Sequence, residues 1–401
     1  MSYKKAVDWL FTQIPNYQKQ GGNAYKPGLE TISNLLEEIG NPHHNLKIIH
    51  IAGTNGKGSV SHILSAALQN NGFKVGLFTS PHIKDFRERI KVNGKLATES
   101  FVEDFVVKIQ NLQNSEPSFF EITTAMAFDY FASQKCDFAV IETGLGGRLD
   151  STNVVSPEIT IITNIGLDHQ QFLGNTIEKI ATEKGGIIKV NCPLILGDVD
   201  EVPKKVLEEI ASEKNASVFY SPKQLFETDL IGQYQQRNLN TAHEALMQLK
   251  NRGYEIDEAK VEEAFKNVTA LSAFHGRMYK IGDEPLTMAD AAHNPAGISN
   301  LMQELNHLEY QKLKIVFGAS NDKDVKNIFA LFPKDVDYYF TTFDSARSLN
   351  EAKLKELAEK HELPYQLFND SSEALKQAQK DASVDDLVLV CGSFFLLEEI
   401  I

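Results

Sequence analysis

The chain has 401 residues, 42% hydrophobic and 23% charged, with a formal net charge of −14. That is the make-up of a globular protein with core enough for two or three domains, and its acidic balance argues against a nucleic-acid or anionic-membrane surface. No apolar run approaches the ~20 residues of a membrane span, no signal peptide is read at the start, and Cys136, Cys192 and Cys391 lack paired spacing, so a cytoplasmic protein with reduced thiols is expected.

A helical segment opens the chain. Gly21, Gly22 and Pro27 then mark a polar loop ahead of an amphipathic helix carrying Leu29, Ile32, Leu35, Leu36 and Ile39. "KIIHIAG" (47–53) is a short strand entering a glycine turn, and "SVSHILSAALQNNG" is a helix with Val60, Ile63, Leu64, Ala67 and Leu68 on one face. Buried-looking strands recur at 74–80, 136–144, 158–166 and 193–198, mostly with helical patterns between them. That alternation argues a parallel sheet covered on both faces. A second set follows at 285–293, 313–320, 336–343 and 386–393, and "LSAFHGR" (271–277) between the sets is the candidate hinge.

The turn after the first strand reads Gly53-Thr54-Asn55-Gly56-Lys57-Gly58-Ser59. It departs from the usual P-loop, which has four residues between its first glycine and its Gly-Lys-Ser/Thr. Here only Thr54 and Asn55 separate Gly53 from Gly56, and Gly58 stands between Lys57 and Ser59. Strand, glycine turn and helix N-terminus still aim backbone N–H groups at an anion; Lys57 adds a cation for outer phosphates and Ser59 a hydroxyl for Mg²⁺.

Other strand ends carry chemistry too. In "SPHIKDFRERI" (80–90), Arg87 and Arg89 could hold a carboxylate, or simply form a solvated charge run. Glu121, flanked by Phe119, Phe120 and Ile122, reads as a metal-ligand candidate, or as an acid favoured in a first helical turn. No aspartate of the kind that usually supports such a metal is read at a strand end. "IETGLGGRLDSTN" (141–153) puts Arg148 and Asp150 in a glycine loop at a strand end, where doubly wound sheets bind ligands. His169 follows the next strand, where a ligand or acid–base role is open to it. Lys184 reads by composition as surface charge. Gln235 and Asn238 are spaced to share a helix face for a base or ribose. Asp290, His293 and Asn294 cluster where a strand turns into a helix, Arg277 precedes them, and Asp322, Lys323 and Asp324 repeat the arrangement.

Taken together, "GTNGKGS", "SPHIKDFRERI", "ETGLGGRLDSTN", "IGLDHQQFLGNTIEKIATEKGGIIK", "DAAHNP" and "CGSF" resemble the folylpolyglutamate synthase/dihydrofolate synthase family of the Mur ligase superfamily, in family order from about residue 45 to 393. The resemblance implies an α/β fold: an N-terminal P-loop domain with a doubly wound, mostly parallel sheet over residues 1–272, with a pterin-site loop near 16–31. A hinge at 273–277 and a smaller Rossmann-like C-terminal domain at 278–401 complete it. It implies an ATP-dependent ligase that phosphorylates a carboxylate and lets the amine of L-glutamate displace the phosphate, acting on dihydropteroate, reduced folates or both. By the same resemblance, Gly53 to Ser59, Asn238, Arg277, Asp290 and His293 bind ATP. Ser59, Glu121 and His169 hold two Mg²⁺ ions, joined by Lys184 when carbamylated. Lys57, His169 and Lys184 serve catalysis, and Arg87, Arg148 and Asp150 meet folate or glutamate. Small-molecule substrates, no nucleic acid, no membrane and a monomer are implied as well.

The sequence departs from the family at His275 before the hinge Gly-Arg, at Ala291, and in a short connection from Phe219 to Ile231 where a β-rich piece is trimmed. Three rival readings stand. A peptidoglycan ligase would want a UDP-binding domain ahead of Gly53, where only 52 residues lie. A non-catalytic ATP-binding regulator and a simple phosphotransferase are the others, and ATP hydrolysis dependent on both glutamate and a pteroate would exclude both.

Overall fold

Strand β1, Ile48–Ala52, is buried at every residue, as a strand covered on both faces must be. The structure, a computed structural model, describes residues 1–14, 28–112, 116–321 and 323–401. Most of the loop expected near 16–31, and Asp322, lie outside the described residues. With β1 run β2 (Val75–Phe78), β3 (Ile90–Val92), β4 (Lys95–Leu96), β5 (Phe138–Glu142), β6 (Ile159–Ile162), β7 (Leu194–Leu196) and β8 (Val218–Tyr220). Among the described residues they form an eight-stranded sheet in the order β4-β3-β2-β5-β1-β6-β7-β8. Every pairing from β2 to β8 along the sheet is parallel; the pairings β2–β3 and β3–β4 are antiparallel, so β3 alone runs against the rest.

Alternation of side chains sorts β1 between two cores. Ile48 joins one apolar cluster with Phe105, Ile122 and Phe128, while Ile49 and Ile51 join another with Val60, Ile63 and Leu64 of the helix Lys57–Asn70. His50 lies on the Ile48 side and is fully buried. Within the helix Phe119–Ser133, Phe131 packs so closely on β2 that a Cβ at Gly76 would sit 2.5 Å from its ring.

The second sheet contains β9 (Tyr279–Asp283), β10 (Leu286–Asp290), β11 (Leu313–Phe317), β12 (Asp337–Thr341), β13 (Tyr365–Phe368) and β14 (Leu387–Cys391). Among the described residues its order is β13-β12-β11-β14-β10-β9, parallel except for β9. The chain divides by contacts into Met1–Leu230 with Gln235–Phe274, and Ile231–Tyr234 with His275–Ile401. Each has its own apolar core, the second built on Ile315, Phe317, Tyr338, Phe340 and Leu389. Among the described residues no helix is long and apolar enough to cross a membrane.

Every apolar run expected as a strand is a strand, and the parallel order is the expected one. The unanticipated strands are the sheet edges β4, β8, β9 and β13, together with β3 beside β4. Edge strands keep one side exposed, so no continuous apolar run announces them.

The short connection after β8 is held by amides of the helix Tyr234–Asn251. Asn240 accepts from Gln224 N (2.9 Å) and donates to Gln224 O (2.9 Å). One helical turn earlier Gln236 does the same for Phe226, at 2.9 Å each way. Each side chain thus replaces a strand neighbour for one residue of the loop. Asn240→Leu should lose about 1–3 kcal/mol of stability in urea unfolding, because it strands a backbone donor and acceptor at once. A loss below ~0.5 kcal/mol, the range of ordinary surface changes, would refute the clamp.

Candidate active site

β1, β5 and β6 end side by side, with Ile51 opposite Glu142 and Ala52 opposite Ile162. Loops leaving neighbouring parallel strands at their carboxyl ends form the ligand crevice of such sheets. The loop after β1 is fixed by the loop after β6. Thr54 N donates to Asn164 O (3.0 Å), Asn55 N to Asn164 Oδ1 (2.8 Å), and Thr163 Oγ1 to Asn55 O (2.6 Å). Gly53 must be glycine, since a Cβ there would lie 1.9 Å from Thr163 Oγ1. Gly56 has φ +83° and opens the helix Lys57–Asn70, and a Cβ on it would meet Asn238 Oδ1 at 2.5 Å. Asn238 therefore stands at the loop, donating to Gln235 Oε1 (2.8 Å).

Two lysines converge on one carbonyl. Lys57 Nζ donates to Gly53 O (3.1 Å) and Lys184 Nζ donates to the same oxygen (2.8 Å). Lys184 is 5% exposed, so the surface charge its composition suggests is corrected to a buried amine at the loop. Burial, and then the Lys57 charge, push its pKa down to about 7, against the pull of Asp168 and Asp150.

Across the loop stands Glu142, the last residue of β5, buried, 4.0 Å from Lys57 Nζ and accepting from Ser80 N (3.4 Å). A Cβ on Gly58 would sit 3.7 Å from its Oε2. This is the acid at a strand end that the sequence reading did not find. Its signal was available: an acid closing a five-residue apolar strand, just before a glycine loop. With the buried Ser59 hydroxyl it offers hard oxygen donors of the kind Mg²⁺ takes.

Glu121, the metal-ligand candidate of the sequence, stands at a helix start. Its carboxylate accepts from Ser118 N (2.7 Å) and Ser118 Oγ (2.7 Å), closing a capping box on the helix Phe119–Ser133. Its neighbour Phe120 is the residue that reaches the glycine loop, where a Cβ on Gly144 would lie 2.5 Å from its ring.

Asp150 is likewise internal. Its oxygens take Gly144 N (2.9 Å), Leu145 N (2.8 Å), Thr152 N (3.0 Å) and Thr152 Oγ1 (2.5 Å), so it builds the glycine loop and presents no edge to a ligand. Arg148 pairs with Glu183 (2.8 Å). Arg87 pairs with Asp85 (2.7 Å) and lies 4.9 Å over the Tyr3 ring; burial raises the Asp85 pKa, but Arg87 and Tyr3 bonds outweigh it and bring it to about 2. Buried Arg89 donates to His82 Nδ1 (2.7 Å). His169 has φ +48° and is the N-cap of a short helix without a side-chain cap bond; its N donates to Asp168 Oδ1 (2.8 Å), and the ring lies 3.8 Å from Oδ2. Among the described residues no three His, Cys, Asp or Glu side chains gather closely enough to hold a metal by themselves.

In the second unit, Arg277, Asp290 and His293 gather at the carboxyl end of β10. Asp290 accepts from Met278 N (2.9 Å) and Ala292 N (2.7 Å), and Arg277 lies 3.5 Å from it. His293 Nδ1 donates to Ala291 O (2.9 Å), and Arg277 stands 5.7 Å from the Phe394 ring centre. Asn294 caps the helix Pro295–Leu305. His275 packs edge-on to Tyr279.

Residues 51–257 match the family model of the Mur ligase middle domain, and 276–394 that of the Mur ligase, glutamate ligase domain. The chain is 32% identical to the dihydrofolate synthase/folylpolyglutamate synthase of Bacillus subtilis (strain 168), over 100% of this chain and 98% of that one. The chain belongs to the folylpolyglutamate synthase/dihydrofolate synthase family of Mur ligases. As a Mur ligase of this family it is an ATP-dependent ligase. It is also 31% identical to a Haloferax volcanii protein named probable bifunctional folylpolyglutamate synthase/dihydropteroate synthase, all of this chain spanning 50% of that one. Its fold superposes on Escherichia coli FolC in complex with DHPP and ADP, at a TM-score of 0.86 and 27% identity, covering 100% of this chain and 97% of that one. A bifunctional folylpolyglutamate synthase/dihydrofolate synthase with Mn, AMPPNP and L-glutamate bound gives the same TM-score, 0.86, at 27% identity and the same coverage, 100% and 97%.

The buried amine of this ligase makes a measurable pH signature. Unfolded Lys184 holds its proton up to its ordinary pKa of 10.5, while the folded protein releases it near 7, so the unfolded state binds more protons between those values. Stability must then rise with pH. In CO₂-free buffer, wild type should gain about 1.4 kcal/mol per pH unit relative to Lys184→Met between pH 7.5 and 9.5, read by urea unfolding. Parallel pH profiles for the two proteins would contradict the buried amine.

Proposed function

We propose that the chain joins L-glutamate through an amide bond to the carboxylate of a pteroate or reduced folate, using ATP. Both dihydropteroate and the glutamate tail of tetrahydrofolate serve as acceptors. The observation that carries the reading is the shortened loop Gly53–Ser59 with Lys57, Lys184 and Glu142 around it. The relatives crystallised with DHPP and ADP, and with Mn, AMPPNP and L-glutamate, support the same substrates.

The loop's backbone N–H groups and the N-terminus of its helix bind the phosphates of ATP, with Asn238 on the base side. Lys57 turns from the Gly53 carbonyl to the outer phosphates and neutralises charge as the γ-phosphoryl passes to the acceptor carboxylate. That transfer makes an acyl phosphate, whose phosphate is a far better leaving group than oxide. The glutamate amine attacks the acyl carbon, the C–O bond to phosphate breaks, and a proton leaves the nitrogen. Ser59 and Glu142, with His169 as a further donor, would hold Mg²⁺, which would screen the phosphate charge when bound. Arg277, Asp290 and His293, which gather in the second unit, are assigned to nucleotide binding.

Lys184 takes up CO₂ as a carbamate, its amine nitrogen bonding carbon and losing one proton. The low pKa of the amine supports this, since only the neutral form reacts. The product turns a second cation beside Lys57 into an anion able to bind a metal.

Phosphate release from MgATP should require both L-glutamate and an acceptor, and should occur with dihydropteroate and with tetrahydrofolate. Release with tetrahydrofolate alone would reduce the chain to a polyglutamylase, and release with neither would overturn the reading. Glu142→Gln and Lys57→Ala should each lower kcat about 100-fold or more with circular dichroism unchanged. Glu121→Gln should leave kcat within about threefold, since its capping box is worth only ~1 kcal/mol of stability. Lys184→Ala should be inactive and regain part of its rate in formate or acetate.

A further inference from the structure

His50 takes no part in the chemistry proposed above, yet it lies in the middle of β1, three residues before the phosphate loop, with no exposed surface. A fully buried imidazole in a β-branched strand calls for a reason, since Ile or Val would fill the space without a polar atom to satisfy. Its Nε2 lies 2.8 Å from Thr152 Oγ1. Thr152 Oγ1 in turn lies 2.5 Å from Asp150 Oδ1, and Asp150 Oδ2 accepts from the amides of Gly144 and Leu145.

The direction of these bonds can be worked out. Thr152 has one hydroxyl hydrogen and two neighbours that could take it. A carboxylate surrounded by donors is the stronger acceptor, so the hydrogen goes to Asp150. The Thr152 oxygen is then an acceptor, and His50 must donate from Nε2. His50 Nδ1 has no hydrogen-bond partner, which suits a bare lone pair and not a buried N–H. Burial, and then the charge of Lys189, push the His50 pKa down to about 3, so the ring is neutral throughout the working range. The far side of the same turn is pinned separately: Asn153 Nδ2 donates to Arg148 O (3.0 Å) and Gly186 O (3.1 Å), and Lys189 Nζ to Asn153 O (2.8 Å).

We propose that His50 is a positioning residue for phosphoryl transfer, acting through a relay in which His50 Nε2–H donates to the Thr152 hydroxyl, that hydroxyl donates to Asp150, and Asp150 in turn accepts from the Gly144 and Leu145 amides. The relay ties the strand that delivers the phosphate loop to the glycine loop that follows Glu142. Its output is the separation of the Glu142 carboxylate, which directly precedes the glycine loop, and Lys57, which opens the helix that β1 leads into. A ring that fills the same space with no donor would leave the Thr152 oxygen unpaired and let the glycine loop relax. This inference rests on the ligase reading of the site, but the relay itself does not.

The test pairs kinetics with ¹⁵N NMR of histidine in the full-length protein. Wild-type His50 should give a protonated Nε2 and an unprotonated Nδ1 from pH 5 to 8, whatever the protein catalyses. Thr152→Val and His50→Leu should each lower kcat about tenfold or more, with KM for MgATP within about twofold, and the double variant should be no slower than the slower single. Thr152→Ser, which keeps the hydroxyl, and His50→Gln, which keeps a donor near Nε2, should recover most of the rate. An Nδ1–H tautomer would overturn the relay even if the variants fail to fold. Wild-type kcat in Thr152→Val, or strictly multiplicative losses in the double variant, would overturn the positioning role. A wild type with no acceptor-dependent turnover, but with the Nε2–H tautomer, would instead count against the ligase reading and leave the relay standing.

Discussion

The chemistry of the first unit depends on β1 lying between two parallel neighbours. β5 on one side and β6 on the other end level with it, so three loops leave the sheet together. The close approach of Gly53 to Thr163 fixes the spacing, because any side chain there would collide. Once the loops are level, an ordinary strand-end acid, Glu142, faces Lys57, and a helical lysine far along the chain, Lys184, reaches the carbonyl of Gly53. None of these residues is unusual alone. Their common address is what makes them a site.

That arrangement also resolves an apparent conflict with the charge of the whole molecule. A protein of net charge −14 repels ATP at a distance. At the loop the balance reverses, because two amines share one carbonyl and the helix Lys57–Asn70 points its N-terminus at the same place. Two cations so close disfavour each other, and burial disfavours the deeper one more. An arriving polyphosphate relieves that strain, while Lys184 can also relieve it by giving up its proton. The same physics therefore favours both nucleotide binding and the neutral form of Lys184.

The fold was legible in the sequence wherever burial on both faces forced a continuous apolar run, as in β1, β5, β6, β11 and β14. It was not legible at the edges, where half-exposed strands such as β8 and β13 look like loops. The site was legible in its glycines, since the spacing of Gly53 and Gly56 marks a phosphate turn of a distinct kind. The acids were harder. Glu121 sits among phenylalanines and invited a metal role, but Ser118 three residues earlier signals a capping box just as strongly. Asp150, in a glycine loop, invited a ligand role, and spacing alone cannot tell that four donors of the same loop would absorb it. Glu142 was passed over because it closes an apolar strand and reads as that strand's end. Sequence fixes which residues are near one another along the chain; which acid faces which lysine is decided by strand order.

Amide formation through an acyl phosphate leaves an isotopic record in the phosphate released. The measurement that tests it most directly uses tetrahydrofolate or dihydropteroate with ¹⁸O in the reacting carboxylate, MgATP and L-glutamate, and reads the inorganic phosphate by mass spectrometry. One ¹⁸O atom should move from the carboxylate into phosphate for each amide bond formed. Phosphate carrying no ¹⁸O, alongside amide product, would contradict it.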